Sequence, residues 1–196
     1  MVDTSLGFTT PAGTDAVLPT SQLALTATDI DGWLTSPANL GAVALASYTG
    51  TAVTGRSVSF AATPNLRLTI SGSLDATVLR FIRWRINSVT AALYRSHTVA
   101  HDGAGALVTY DGGGVDGVHG RTATYGATGF MVTLDFAMRS GLPMWTGTVS
   151  GSSSGSWVTG SCGGILRSSE VPSRFDVSVD TGVFDNLQID VTGFPQ

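Results

Sequence analysis

The chain of 196 residues is poor in charge, and its charged residues are of few kinds. Aspartate, glutamate, lysine and arginine make up 12% of the sequence, whereas ~25% is usual for a globular protein. There is no lysine, and Glu170 is the only glutamate. Lysine and glutamate favour helices, while the abundant glycine, serine, threonine and valine favour turns and strands. The composition therefore predicts an all-β protein.

Cysteine is equally scarce, since Cys162 is the only one. An intrachain disulfide needs two cysteines, so none can form, and the sequence does not indicate a redox compartment. A chain of this length buries about 70% of its unfolded surface, so it needs neither a disulfide nor a structural metal to fold. The length fits one large β-sandwich, and a second domain is not required.

The sequence also lacks runs of like charge and long apolar stretches. Its net charge is −4 and it has no basic run, so it lacks the footprint that a phosphate backbone requires. We therefore expect no nucleic-acid partner. We also expect no membrane partner, because no apolar run approaches the ~20 residues of a membrane-spanning helix. Residues 1–5 have neither a basic start nor an apolar stretch, so we expect no secretory signal there.

Alternation of apolar and polar residues predicts strands from about residue 41 onward. Four segments show the two-residue period of a half-buried strand, and they cover residues 66–71, 130–139, 174–180 and 186–191. Residues 78–86 are apolar with three arginines, and their β-branched and aromatic content favours a central strand over a helix. Between the last two strands, Asp180-Thr181-Gly182 has the composition of a hairpin turn.

Strands of this kind at regular spacing indicate a two-sheet antiparallel β-sandwich over residues 41–196. We interpret the glycines at 112–114, 151–155 and 163–164 as parts of connectors between strands.

Residues 1–40 differ from the rest because prolines interrupt their short apolar pieces. Pro11, Pro19 and Pro37 each remove a backbone donor and discourage long elements. We therefore predict an extended N-terminal arm, or first strands, that reaches a neighbouring subunit.

Three ordered segments have a more specific pattern. The first joins residues 55–60 (GRSVSF) to residues 65–78 (NLRLTISGSLDATV), and the second is 160–168 (GSCGGILRS). The third combines RFD at 174–176 with FDNLQI at 184–189. In this order they resemble strands of the concanavalin-A-like lectin and glucanase jelly roll, the fold of laminin-G-type domains and of many phage tail modules. The resemblance implies a jelly-roll sandwich. Residues 87–128 lack the W-H-H-V strand of laminin-G domains.

Glycoside hydrolysis is the first reaction that this resemblance suggests. It needs two carboxylates across the scissile bond. Glucanases of this fold carry paired glutamates on one strand, whereas this chain has Glu170 alone.

Two other catalytic patterns are incomplete. Residues 179–182 (VDTG) match half of an aspartic-protease site, with no second copy. Cys162 lies in a Gly-x-Cys-x-Gly spacing, but the residues after it read as a strand and not as the helix of a nucleophile elbow. We therefore predict no enzyme activity and no catalytic residue.

Candidate metal ligands are present but incomplete. His97, His101 and His119 would suffice for zinc in number, yet no cysteine or glutamate is near them in sequence. Aspartates at 29–31 and 111–116 lie in glycine-containing loops, which bind calcium in some lectin-like sandwiches and are ordinary turns in others. We predict no metal site and no cofactor, with calcium as the alternative.

Two tryptophans are candidate glycan contacts. Trp145 and Trp157 flank the serine- and glycine-rich residues 151–155, where a binding loop would lie. An aromatic ring can stack on the C–H face of a sugar. Packing in a core or an interface is the alternative for each ring.

The low charge, together with 42% hydrophobic residues, suits a protein that is packed against other subunits. We therefore predict a non-enzymatic structural protein of a tailed-phage virion, either a head-decoration or a tail-associated subunit. Its expected location is the virion, and its expected partners are other virion proteins and copies of itself. The alternative is a lectin-like carbohydrate-binding module that recognises host-surface glycans, and an enzyme ranks third.

Overall fold

The computed structural model describes residues 2–3, 9–10, 41–75, 79–90, 92–102, 107–113, 120–124, 127–153 and 155–194. The chain divides into two compact units, Met1–Ala42 with Pro195–Gln196 and Val43–Phe194. In the first unit, β1 (Val2–Asp3) pairs antiparallel with β2 (Thr9–Thr10). The rest of the predicted N-terminal arm lies outside the described residues, so the arm stays a prediction.

The described residues of the second unit form twelve strands in two antiparallel sheets. The strands are β3 (Val43–Val53), β4 (Gly55–Ser59), β5 (Asn65–Leu74), β6 (Arg80–Ile86), β7 (Tyr94–Asp102), β8 (Leu107–Gly113), β9 (Gly120–Thr124), β10 (Gly129–Arg139), β11 (Leu142–Ser153), β12 (Ser156–Leu166), β13 (Arg174–Val179) and β14 (Phe184–Gly193). The large sheet has the order β3-β14-β5-β10-β11-β12-β7-β8, and the small sheet has the order β4-β13-β6-β9. The described residues contain no helix, which confirms the all-β prediction.

The alternating segments form strands, as predicted. In β5, for example, Leu66 and Leu68 are buried while Arg67 between them is exposed. The same alternation buries one side of β10, β13 and β14. The apolar segment with three arginines forms β6, which lies between β13 and β9 inside the small sheet. The prediction of a central strand is therefore confirmed for Arg80–Ile86.

The buried sides of the two sheets share one hydrophobic core. Trp84 of the small sheet lies at its centre, edge to face with Phe136 and Trp145 of the large sheet, with ring centroids 5.4 and 4.6 Å apart. Tyr94 of the large sheet also meets Trp84 edge to face. Burial of large aromatic side chains is a major contribution to core stability, so this cluster joins the two sheets.

The hairpin predicted at Asp180–Gly182 is wrong. β13 belongs to the small sheet and β14 to the large sheet, so this turn crosses from one sheet to the other. Asp180 instead attaches the turn to β6: its amide donates to Phe81 O (3.1 Å), and its Oδ1 accepts from Phe81 N (3.2 Å). Both strands bury one side in the shared core, and this packing, not the turn residues, determines their neighbours.

Several glycines predicted to lie in connectors belong to strands instead. Gly163 and Gly164 lie inside β12, and Gly151 lies inside β11. Gly164 is paired in register with Trp145, and a Cβ atom at Gly164 would overlap the Trp145 ring. The absence of a side chain thus makes room for the indole, so this glycine serves core packing.

Candidate functional site

Of the residues considered for catalysis, Cys162 is buried and Glu170 is hydrogen-bonded to a neighbouring side chain. Cys162 is buried within β12, and its burial raises the pKa of its thiol to about 12. A thiol of this kind is not a nucleophile at neutral pH. The strand continues beyond it to Leu166, so no nucleophile elbow forms. Glu170 Oε2 accepts a hydrogen bond from Asn87 Nδ2 (3.1 Å), and Asn87 Oδ1 in turn accepts from the Ser173 and Arg174 amides.

The candidate metal ligands lie on β7 and β8 or outside the described residues. His97 and His101 lie on β7, where their register partners on β8 are Asp111 and Leu107. His119 and the aspartates at 29, 31 and 116 lie outside the described residues. Within the part of the chain that the structure describes, no group of three histidine, cysteine or acidic residues could hold a metal ion.

The two candidate glycan contacts lie on opposite faces of the large sheet. Trp145 is 3% exposed and packs in the core against Trp84 and Phe136, so its ring offers no surface to a sugar. Trp157 is 44% exposed. Its register partner, Ser152, is also exposed. The two rings therefore do not form a common platform, and Trp157 alone stays a candidate.

Trp157 borders a shallow depression of about 370 Å³ at one end of β10, β11 and β12. Met131, Ser150 and Ser152 contribute to its lining. The Thr128 hydroxyl lies 2.7 Å from the Ser152 hydroxyl and 2.7 Å from the Ser152 carbonyl oxygen. The depression thus combines an exposed indole with hydroxyl groups.

The outer face of the large sheet, the face turned away from the core, is rich in hydroxyl groups. Thr69, Thr133, Thr148 and Ser161 occupy directly opposite positions on four adjacent strands. The neighbouring row contains Ser71, Met131, Ser150 and Thr159.

The Arg67–Asp135 ion pair lies beside these rows on the same face. Arg67 Nε and Nη2 donate to the two oxygens of Asp135 at 2.7 and 3.0 Å. Because the guanidinium and the carboxylate neutralise each other, the pair itself adds no net charge to this face.

Exposed apolar side chains concentrate on the same face. Met131 is 49% exposed and Met144 is 42% exposed, and both point outward with Trp157 from the adjacent strands β10, β11 and β12. Val171, which is 39% exposed, lies outside the sheet between β12 and β13. A face with exposed methionine and tryptophan has apolar side chains of the kind that are enriched in contact surfaces.

Sequence reasoning missed a concentration of arginines in the small sheet. Its four strands contain six of the ten arginines and only one acidic residue, Asp176. Three of these arginines lie in the segment that was recognised as a strand, 80–86. The others lie on strands distant in sequence, so no run of like charge revealed the group.

No helix in the described residues is long and apolar enough to cross a membrane. Comparisons with protein-family models, curated proteins and solved structures gave no match.

Proposed function

We propose that this chain is a non-enzymatic structural subunit of a tailed-phage virion, a head-decoration or tail-associated protein. It acts through contacts between the outer face of its large sheet and neighbouring subunits. The observation that carries the proposal is the combination, on this face, of hydroxyl rows with exposed Met131, Met144 and Trp157.

Physical chemistry supports a contact role for such a face. Charged side chains keep a protein surface hydrated and separate from its copies, and this chain has half of their usual share. Methionine and aromatic residues are enriched in the cores of protein interfaces, where charged residues are depleted. The side chains of Met131 and Met144 therefore provide apolar area that a second subunit buries.

We propose further that the two sheets form a jelly-roll sandwich. The connections β5–β6, β12–β13 and β13–β14 each pass from one sheet to the other, and both sheets contribute to one core. These crossings support jelly-roll connectivity, and the segments that resemble concanavalin-A-like domains include strands β4, β5 and β14. Residues 1–40 complete the proposed subunit as an arm that reaches a neighbour.

The experiment that tests the assembly proposal is native mass spectrometry of the full chain at micromolar concentration. We expect a closed homo-oligomer, because identical subunits usually associate with rotational symmetry. The substitutions Met131→Arg and Met144→Arg place charge on the proposed contact face and should shift the population toward the monomer.

Val171→Arg is the matched control, because Val171 is nearly as exposed as Met144 but lies outside the large sheet. It should leave the oligomer unchanged. A wild-type chain that remains monomeric, or an equal loss of oligomer in the control, contradicts the proposal.

A second candidate function is carbohydrate binding, which the depression beside Trp157 favours. The exposed indole can stack on a sugar ring, and the Ser150 and Ser152 hydroxyls can bond to its hydroxyls. A glycan array tests it: Trp157→Ala should abolish the binding of neutral glycans that the wild-type chain shows, while Met144→Ala should preserve it. A wild-type chain that binds no glycan on the array excludes this candidate.

A further inference from the structure

The small sheet is basic although the chain as a whole is acidic. Six arginines and one aspartate lie in its four strands, while the rest of the chain has four arginines and thirteen acidic residues. In the strand register, Arg85 stands opposite Asp176, and Arg83 stands opposite Arg121. Such a local concentration of one charge sign attracts ions of the opposite sign even when the net charge opposes it.

A depression of about 750 Å³ lies on the outer face of the small sheet, at β4, β6 and β13. Arg56, Arg85 and Arg174 line it, together with the hydroxyl residues Ser57 and Ser88. The volume is that of a small-molecule site. The Arg85 and Arg174 side chains lie on this outer face. Arg56 stands opposite the buried Val177 in the strand register, so its side chain extends from the other side of β4, at the rim of the depression.

A hydrogen-bonded network organises the centre of this depression. Arg174 Nε donates to Asp176 Oδ1 (2.8 Å), and Arg174 Nη2 donates to Ser57 Oγ (2.9 Å). Ser57 Oγ donates to the same Asp176 oxygen, and Ser88 Oγ donates to Asp176 Oδ2 (2.8 Å). These bonds fix the directions of the guanidinium and carboxylate groups, so little side-chain freedom is lost when a ligand binds.

At the rim of the depression, a contact with an aromatic ring holds the Arg56 side chain in place. The Arg56 guanidinium lies over the Tyr48 ring, 5.0 Å from its centroid. A cation–π contact of this kind holds the side chain in place without neutralising its charge. On the outer face, Asp176 lies beside Arg85 and Arg174, so the depression holds two cationic side chains and one carboxylate.

We propose that this depression binds an acidic saccharide, a sugar that carries a carboxylate or sulfate group. Planar guanidinium groups bind such oxyanions through paired hydrogen bonds. The Ser88 oxygen, whose proton goes to Asp176, and the Asp176 carboxylate can accept hydrogen bonds from neutral sugar hydroxyls. The site lies on a different sheet from the Trp157 depression and does not depend on assembly of the chain.

The lining favours a saccharide over other anionic ligands. Strand β6 contributes one tryptophan, Trp84, but that ring is 1% exposed and faces the core. Single-stranded nucleic acids gain much of their affinity from bases stacked on exposed aromatic rings. An acidic peptide gains its affinity from apolar anchors, and the one apolar residue at this depression, Val177, has its side chain buried in the core. The remaining lining is polar, as sugar hydroxyls require.

Isothermal titration calorimetry of the full chain at low ionic strength tests the proposal. The probes are trigalacturonate, which carries carboxylates, and a heparin hexasaccharide, which also carries sulfates. Neutral maltotriose and maltohexaose are the controls of equal length. We expect at least one acidic probe to bind about tenfold more tightly than its neutral control, because each charge-assisted hydrogen bond contributes on the order of a tenfold change in affinity.

Variants locate the binding. Arg85→Gln and Arg174→Gln should each weaken the binding about tenfold. Arg85→Lys, which keeps the charge, should weaken it less. Arg139→Gln is the matched control, since Arg139 is exposed on the large sheet, and it should bind as the wild type does. Melting temperatures of all variants, followed by circular dichroism, separate lost binding from lost folding.

Several results would overturn the proposal. One is a failure of both acidic saccharides to bind. A second is an affinity for hexa-aspartate or for a thymidine hexanucleotide that equals the affinity for the acidic saccharide. A third is a loss of saccharide affinity in Arg139→Gln that equals the loss in the glutamine variants of the depression. If every glutamine variant failed to fold, Arg85→Lys and the salt dependence of binding would decide the question. Retained binding in Arg85→Lys, together with a loss of affinity at high salt, would support the proposal. Binding that does not depend on salt would overturn it.

Discussion

The Trp84 and Trp145 rings meet edge to face, with 4.6 Å between their centroids, and connect the small sheet to the large sheet. Trp145→Ala removes this contact and leaves a cavity between the sheets. We expect a loss of about 3–5 kcal/mol in the free energy of unfolding, as for other buried aromatic residues. Urea unfolding followed by circular dichroism measures it.

Trp157→Ala is the matched control for that substitution. Trp157 is 44% exposed, so its removal should change stability by no more than about 0.5 kcal/mol. Equal losses in the two variants would contradict the assignment of Trp145 to the core and of Trp157 to the surface.

Gly164 accommodates the Trp145 ring, so a side chain at this position should destabilise the fold. A Cβ atom there would overlap both the indole and the Arg95 carbonyl oxygen. Gly164→Ala should cost about 1–3 kcal/mol, the usual range for an overpacked core. At Gly163, on the outer face, the nearest atom would be 3.2 Å away, so Gly163→Ala should cost less. The urea midpoints of the two variants decide this, and the reverse order would refute the explanation.

Cys162 should be unreactive in the folded chain. Burial raises the pKa of its thiol to about 12, so only about one thiol in ten thousand is ionised at pH 8. We expect no reaction with an aromatic disulfide reagent during the first minutes, and complete reaction after unfolding in guanidinium chloride. Rapid labelling of the native protein would show that the thiol is accessible and that this part of β12 is not in the core.

Asp176 should contribute a pH-dependent part of the stability. Burial raises the pKa of its carboxyl, but hydrogen bonds from Ser57, Ser88 and Arg174, with the Arg174 charge, outweigh burial and hold the pKa below its ordinary value. A carboxyl whose pKa is lower in the folded than in the unfolded chain stabilises the fold above pH ~4, and this contribution is lost as pH falls through the folded pKa.

The test is to compare urea midpoints of the wild type and Asp176→Asn between pH 7 and pH 2. Asparagine does not titrate, so the advantage of the wild type should be greatest at pH 5–7 and should shrink below pH ~4. Two curves that stay parallel over the whole range would mean that Asp176 ionises alike in the folded and unfolded chains.

Local patterns predicted the strands but not their partners. The period-2 alternation of β5 and β10 is a property of neighbouring residues, and both strands formed where that pattern lies. The turn at Asp180–Gly182 has hairpin composition, yet it connects two sheets because the strands on either side of it bury against opposite sides of the core. The neighbours of a strand depend on distant segments, which a local pattern does not contain.

The candidate sites also differ in whether one local stretch of sequence could reveal them. Trp157 was identified because an aromatic residue beside a serine-rich segment is visible in one stretch of sequence. The arginine-lined depression was not, because Arg85 and Arg174 are 89 positions apart and meet only through the pairing of β6 with β13. The same local argument named Trp145 and Trp157 as candidate contacts, with core packing as the alternative for each. It could not separate the buried Trp145 from the exposed Trp157, since burial depends on which side of the strand faces the other sheet.

Oxidative footprinting tests most directly whether the outer face of the large sheet is the assembly surface. Met131 and Met144 are exposed on this face and can be oxidised, whereas Met138 is half-buried and serves as the internal reference. We expect oxidation of Met131 and Met144, measured by peptide mass spectrometry, to fall as the protein concentration rises and the subunits associate, while oxidation of Met138 stays constant. Equal oxidation of Met131 and Met144 in dilute and concentrated protein would contradict the proposed function.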